Sequence, residues 1–164
     1  MSEKDTTASP TPTPTPSPME LVLQFHHTYS VPIRPFSDPT LDYERMNMRM
    51  SLIAEEFAEL MGAVYGPRAR AIIEAATAEA VATDEGERDV IEAADALADL
   101  VYVVYGMAIE SGMNLDSVLA EVQASNLSKL MPDGSVKLRE DGKVLKGPNF
   151  FQPNIARGLG LESP

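Results

Sequence analysis

Residues 88–111, RDVIEAADALADLVYVVYGMAIES, decide how this chain folds. Leu97, Leu100, Val101, Val103, Val104 and Tyr105 leave almost no polar side to a helix of this length. A helix that is apolar nearly all round belongs in a core or against another surface. Glu92, Asp95 and Asp99 interrupt it. At about 100° per residue they fall within roughly 60° of one another. Three carboxylates on one face of a helix that favours burial set an energetic problem, because an unpaired buried charge is costly. Raised pKa values, basic partners or bound cations would resolve it. No Lys or Arg follows Arg88 within the helix, so divalent cations are the simplest remedy. An all-oxygen ligand set without His or Cys suits Mg2+ or Mn2+.

A second acidic group precedes it in LIAEEFAEL, residues 52–60. Glu55, Glu56 and Glu59 fall within an arc of roughly 100°. That arc borders an apolar stripe of Ile53, Phe57, Leu60 and Val64, which predicts a long helix over 41–65. Gly66-Pro67 ends it, and Pro67 suits the first turn of an Ala-rich helix over 68–82. ATDEGE is a loop. Gly112 closes the 88–111 helix, and Asn114 can cap another over 115–127. Upstream, Leu21, Val22, Leu23 and Phe25 predict a short amphipathic helix over 20–29, followed by the proline-rich connection VPIRPFSDPT. Downstream, MPDGS is a turn, VKLREDGKVLKG reads as a small hairpin around Asp141-Gly142, and Gly147-Pro148 begins an irregular C-terminus. The expected architecture is an all-α bundle of about five helices with a small C-terminal β-like hairpin. The greasy helix predicts that copies assemble, as a homodimer or a tetramer.

At 164 residues the chain holds one ordinary domain. Residues 1–18, with Pro alternating with Thr or Ser, read as a disordered tail, which leaves 19–164 for the domain. The tail lacks the apolar core of a secretory signal, and no run of about 18 apolar residues predicts a membrane span. The absence of Cys removes disulfides, thiolate metal sites and Cys nucleophiles, and fits a cytoplasmic protein. A net charge of −12 disfavours nucleic acid as a partner. A ferritin-like di-iron bundle needs Glu-x-x-His motifs. The only histidines, His26 and His27, stand elsewhere and read as helix-surface residues.

Five of the 13 Lys and Arg residues fall in one segment: Lys129, Lys137, Arg139, Lys143 and Lys146. Acids that hold cations, together with a separate basic segment, make a polyphosphate site. No Walker-type Gly-rich loop is present, so P-loop chemistry is excluded.

LIAEEFAEL followed by DVIEAADALADLVYVVYGMAIESGM resembles the MazG-like, or phosphoribosyl-ATP pyrophosphohydrolase-like, superfamily. Its ExxE and ExxD motifs are Glu56-x-x-Glu59 and Glu92-x-x-Asp95 here, with Glu55 before the first. The tail SNLSKLMPDGSVKLREDGKVLKGPNFFQPNI is similar to the C-terminal segment of one branch, so the likeness runs over about 21–155. The resemblance implies an all-α oligomer that hydrolyses a nucleoside triphosphate to the monophosphate and pyrophosphate with Mg2+ or Mn2+, a house-cleaning activity on the nucleotide pool. The superfamily includes dimeric dUTPases, which makes dUTP the leading expectation. Asp99 is an extra acid, four residues after the ExxD aspartate.

On this reading Glu56, Glu59, Glu92 and Asp95 are metal ligands, Asp99 is a further ligand or an acceptor behind them, and Glu55 is the base that deprotonates the attacking water. Lys129, Lys143 and Lys146 neutralise phosphate. Asn126 hydrogen-bonds sugar or base, and Phe25, Tyr102 or Phe150 stacks on the base. Two other classes stand beside this one: a catalytically silent nucleotide sensor, and a helical interaction module that needs neither metal nor nucleotide.

Overall fold

A computed structural model describes residues 15–140 and 142–162. Most of the expected tail, and Asp141 at the expected hairpin tip, therefore lie outside the described residues. Among those described there are six helices and no strand: α1 (Pro18–Thr28), α2 (Met46–Tyr65), α3 (Pro67–Ala82), α4 (Val90–Glu110), α5 (Leu115–Leu127) and α6 (Ile155–Gly158).

α1 begins earlier than the sequence suggested, inside the segment assigned to the tail. Ser17 accepts from Glu20 N at 3.3 Å, while the Glu20 carboxylate accepts from Ser17 N at 2.7 Å, with Pro18 leading the first turn. This reciprocal box satisfies two backbone donors that a helix start leaves bare. α2 begins later than expected, at Met46. The preceding residues close on themselves instead, with Asp42 N donating to Thr40 Oγ1 at 3.0 Å and Tyr43 N to the Leu41 carbonyl at 3.2 Å. Such local bonds compete with helix.

α2 and α3 form an antiparallel hairpin. Gly66 turns it with φ 96° and ψ 172°, a conformation that only glycine adopts without strain. α1 lies along α5. Gln123 donates across to the Leu21 carbonyl at 2.9 Å. The buried Tyr29 hydroxyl reaches the carbonyls of Asn126 at 2.7 Å and Leu127 at 3.0 Å. These are among the acceptors that the end of α5 leaves without an intrahelical donor. α6 packs on the start of α5, and Arg157 grips Glu121 with two bonds of 2.7 Å. The sequence reading missed α6, because four residues are too short to show a period.

The expected hairpin is present only in outline. A single antiparallel bridge joins Leu138 to Val144, flanked by Arg139 N to the Lys143 carbonyl and Leu145 N to the Lys137 carbonyl, both 2.8 Å. The chain beyond it is strapped to the end of α5. Gly147 N donates to the Lys129 carbonyl at 3.0 Å, Ser125 Oγ to the Phe151 carbonyl at 2.7 Å, and Phe151 N to Ser128 Oγ at 3.2 Å.

α4 is closed by Gly112 as expected, but it begins at Val90, two residues later than the sequence suggested. Asp89 accepts from Ile91 N and Glu92 N, and Gly112 at φ 70° closes a Schellman end in which Met113 N reaches the Ala108 carbonyl at 2.8 Å. Its burial is not as expected. α4 forms no interface of any extent with another helix, and Ile91, Tyr102 and Ile109 are 84%, 79% and 75% exposed. Its ties to the rest are the bond from Tyr105 hydroxyl to Asp116 at 2.9 Å and the buried Ala108. Among the described residues nothing covers most of its apolar surface. Among the described residues no helix is long and apolar enough to cross a membrane.

Candidate active site

The first acidic row rides on α2, and every member is exposed. Ala58 between them is fully buried, which sets the rotation of the helix and turns Glu56 about 160° away from the packed side. Lys143 crosses from the C-terminal segment, 88 residues away in sequence, to meet Glu55 at 2.6 Å. Arg70 of α3 reaches Glu59 at 3.2 Å and also holds Glu74 at 2.7 Å. Gly62 allows this crossing, because a β-carbon there would stand 3.1 Å from that of Arg70.

The basic segment gathers where the sequence placed it. Lys129 donates to Asn126 Oδ1 at 2.7 Å. Burial pulls the Lys129 ammonium below its ordinary pKa, neighbouring Lys146 and Lys143 push the same way, and Glu56 opposes them. The field at Lys129 thus registers two other lysines and Glu56 of the α2 row. Lys146 sits over the Phe150 ring, 4.3 Å from its centre. Phe25 stacks on Tyr29 with ring centres 4.5 Å apart, and Tyr29 in turn holds the Asn126 backbone. Asn126, Lys129, Lys143, Lys146, Phe150 and Phe25 therefore form one connected neighbourhood against Glu55 and Glu56.

The second acidic row does not join it within one chain. Glu92, Asp95 and Asp99 are exposed on α4, which forms no interface with α2. Among the described residues no three Asp, Glu or His side chains come close enough to hold a metal ion. The two rows read together as metal ligands are thus not brought together among the described residues of one subunit. Tyr102 stays with α4, apart from the other stacking candidates.

Sequence reasoning missed Arg49 and His26. His26 is not a plain surface residue: its Nδ1 lies 3.1 Å from the Pro32 carbonyl and its Nε2 lies 2.9 Å from Arg49 Nη2. The signal was partly legible. Arg49 precedes Glu56 by seven residues, two helical turns on the same face.

A helical fold with an exposed carboxylate row, bordered by lysines drawn from a distant segment, sets charges of both signs side by side. The chain belongs to the phosphoribosyl-ATP pyrophosphohydrolase family, which residues 22–126 match. It is also similar to a crystal structure described as a "putative NTP pyrophosphohydrolase" from Exiguobacterium sp. 255-15. Identity there is 26% and the TM-score 0.67, over 90% of this chain and 96% of that one. No curated protein matches the chain. Family and structural likeness together support a nucleotide pyrophosphohydrolase activity in general.

Proposed function

We propose that this protein hydrolyses a (deoxy)nucleoside triphosphate, dUTP foremost, to the monophosphate and pyrophosphate. The observation that carries the reading is Lys143 against Glu55, with Lys129 and Lys146 beside it. A chain of net charge −12 has brought its scarce cations to one edge of its acidic row. The choice of dUTP rests on the resemblance to a superfamily that includes dimeric dUTPases.

The carboxylates of α2 and α4 are an all-oxygen donor set, which fits Mg2+ or Mn2+ in kind. Glu56, Glu59, Glu92, Asp95 and Asp99 would hold the ion. When bound, it supplies positive charge at the phosphoryl oxygens. One chain presents only half of this set at a time, so α4 of a second copy is the natural source of the rest. The uncovered apolar sides of α4 support such a homodimer or larger assembly.

Glu55 takes a proton from water as the water oxygen bonds to the α-phosphorus. The bond from that phosphorus to the α–β bridging oxygen breaks, and pyrophosphate leaves. Lys143 holds Glu55 before substrate arrives, and the phosphates compete for its ammonium. Lys129 and Lys146 neutralise the departing charge. Phe150 and Phe25 offer faces on which the base can stack.

Product analysis across a nucleotide panel, with and without Mn2+, tests the reading. The expected result is dUMP plus pyrophosphate, abolished by chelator. Release of orthophosphate, or no turnover of any triphosphate, would refute it.

A further inference from the structure

α2 carries a second charged feature on the line of Glu56. Residues 45, 49 and 56 differ by four and seven positions, so Arg45 and Arg49 point within about 20° of Glu56. Arg49 stands about 10 Å from Glu56 along the axis, toward the start of the helix. Arg45 leans on the C-terminal segment. Its Nη1 lies 2.9 Å from where a β-carbon of Gly142 would stand, next to the Lys143 that meets Glu55. The two arginines therefore continue the edge on which the lysines gather.

Arg49 is held in an unusual way. A guanidinium can only donate, so His26 Nε2 accepts from it. The proton of the imidazole then sits on Nδ1 and is donated to the Pro32 carbonyl. His26 is neutral in this arrangement. Burial holds its pKa below the ordinary value, and Arg49, Arg45 and His27 push in the same direction. Arg49 itself is half-buried, and among the described residues no carboxylate pairs with it. The chain has 25 acids to 13 bases, so a shortage of carboxylates does not explain this. A half-buried cation beside a second cation, oriented by a neutral acceptor, has its charge left for an anion that the chain does not supply.

We infer that Arg49, oriented by His26, binds the two phosphates that leave as pyrophosphate, and so sets a preference for a chain of phosphates over a single one. The inference rests on the hydrolase reading above for where the α-phosphorus sits, between Glu55 and Glu56. The β- and γ-phosphates then run toward the start of α2, where a planar fork of donors can take two oxygens at once. His26 is the positioning residue, and the Pro32 carbonyl fixes its tautomer.

The test is calorimetry of the full chain in metal-free buffer, with inorganic tripolyphosphate and with orthophosphate. Nucleotide turnover is measured in parallel. The wild type should bind tripolyphosphate and barely bind orthophosphate. Arg49→Ala should weaken tripolyphosphate by about ten- to a hundredfold, the usual worth of a charge-assisted bond. Arg49→Lys should recover part of it, because a point charge replaces the fork. His26→Gln keeps an acceptor and should stay near wild type, whereas His26→Leu should resemble Arg49→Ala. Circular dichroism melting reports whether each variant folds. If Arg49→Ala does not fold, Arg49→Lys and His26→Leu decide the matter, and unchanged affinity in both overturns the assignment. A wild type that fails to bind tripolyphosphate, or Arg49→Ala that binds it equally well, also overturns it. Such a failure with wild-type turnover intact leaves the hydrolase reading standing. Arg49-dependent binding without turnover of any triphosphate refutes the hydrolase and keeps the phosphate site.

Discussion

Glu55 and Glu56 are adjacent and chemically identical, yet α2 gives them different surroundings. Lys143 holds Glu55, while Glu56 meets the Lys129 field with no ion pair of its own among the described residues. Glu55→Gln should therefore keep Mn2+ bound and slow the single-turnover rate by about 10²–10⁴-fold. Glu56→Gln should weaken Mn2+ binding and recover rate when the metal is raised, because an amide brings no negative charge to a hard cation. Recovery of Glu55→Gln with excess Mn2+ would make Glu55 a ligand and remove the base. A second residue-scale expectation lies in the loop before α4. Arg88 grips Asp84 through both carboxylate oxygens at 2.8 and 2.7 Å, and Gly86 N adds a third bond, which together hold the Asp84 carboxyl at about 2, against an ordinary value of 3.8. A depressed carboxyl pKa contributes stability that is complete above the ordinary value and is lost as pH falls through the folded one. The loop should thus keep its clamp at pH 4 and lose it near pH 2. A carbon-13 titration of the Asp84 carboxyl checks this, and Arg88→Ala should return it toward 3.8. Much at this scale was readable in advance, since the arcs of Glu55, Glu56 and Glu59 follow from helical arithmetic alone. The His26–Arg49 contact was not, because it closes across the irregular stretch 29–45, whose path no periodicity encodes.

Among elements, α3, α4 and α5 were legible because their ends carry strong local signals: Gly66-Pro67, Gly112 and Asn114. The start of α2 and the whole of α6 were not, because local turn bonds and a four-residue length leave no apolar period. The C-terminal strap was recognised as basic, but its attachment to α5 was invisible. That attachment depends on Gly147. A β-carbon there would collide with the Leu130 carbonyl and stand 2.9 Å from that of Lys129, both of them backbone. Backbone cannot swing aside as a side chain can. Gly147→Ala should displace the segment that carries Lys143 and Lys146, at a cost of roughly 1–3 kcal/mol. Thermal melting should show the loss, and the KM for a triphosphate should rise. An unchanged KM would mean that the strap does not position the lysines.

At the scale of the molecule, the α2–α3 hairpin and the group of α1, α5 and α6 are linked through polar contacts that run along the candidate site: Lys143 to Glu55, and Arg49 to His26. α4 packs along neither group and touches the second through Tyr105 and Asp116. Its hydropathy predicts that the helix needs covering and that copies assemble, but hydropathy alone does not distinguish a subunit's own core from a shared one. Light scattering should find a homodimer or larger species, and Val101→Glu, at a position exposed in one chain, should dissociate it while leaving the helical content intact. A clean monomer of the wild-type chain at working concentration would defeat the proposed completion of the carboxylate set by a second copy.

The isolation of α4 also has a consequence in time. The α2–α3 hairpin closes over a short stretch of chain and should form quickly, at a rate indifferent to dilution. In the proposed assembly the sides of α4 are covered only after two chains collide, a second-order event that spans milliseconds to minutes. Refolding followed by circular dichroism and by an apolar dye should therefore split. Helix signal should return in a fast phase of constant rate, and dye should be released in a slower phase whose rate scales with protein concentration. Between these phases each chain carries an uncovered greasy helix, and that interval is when it is most prone to aggregate.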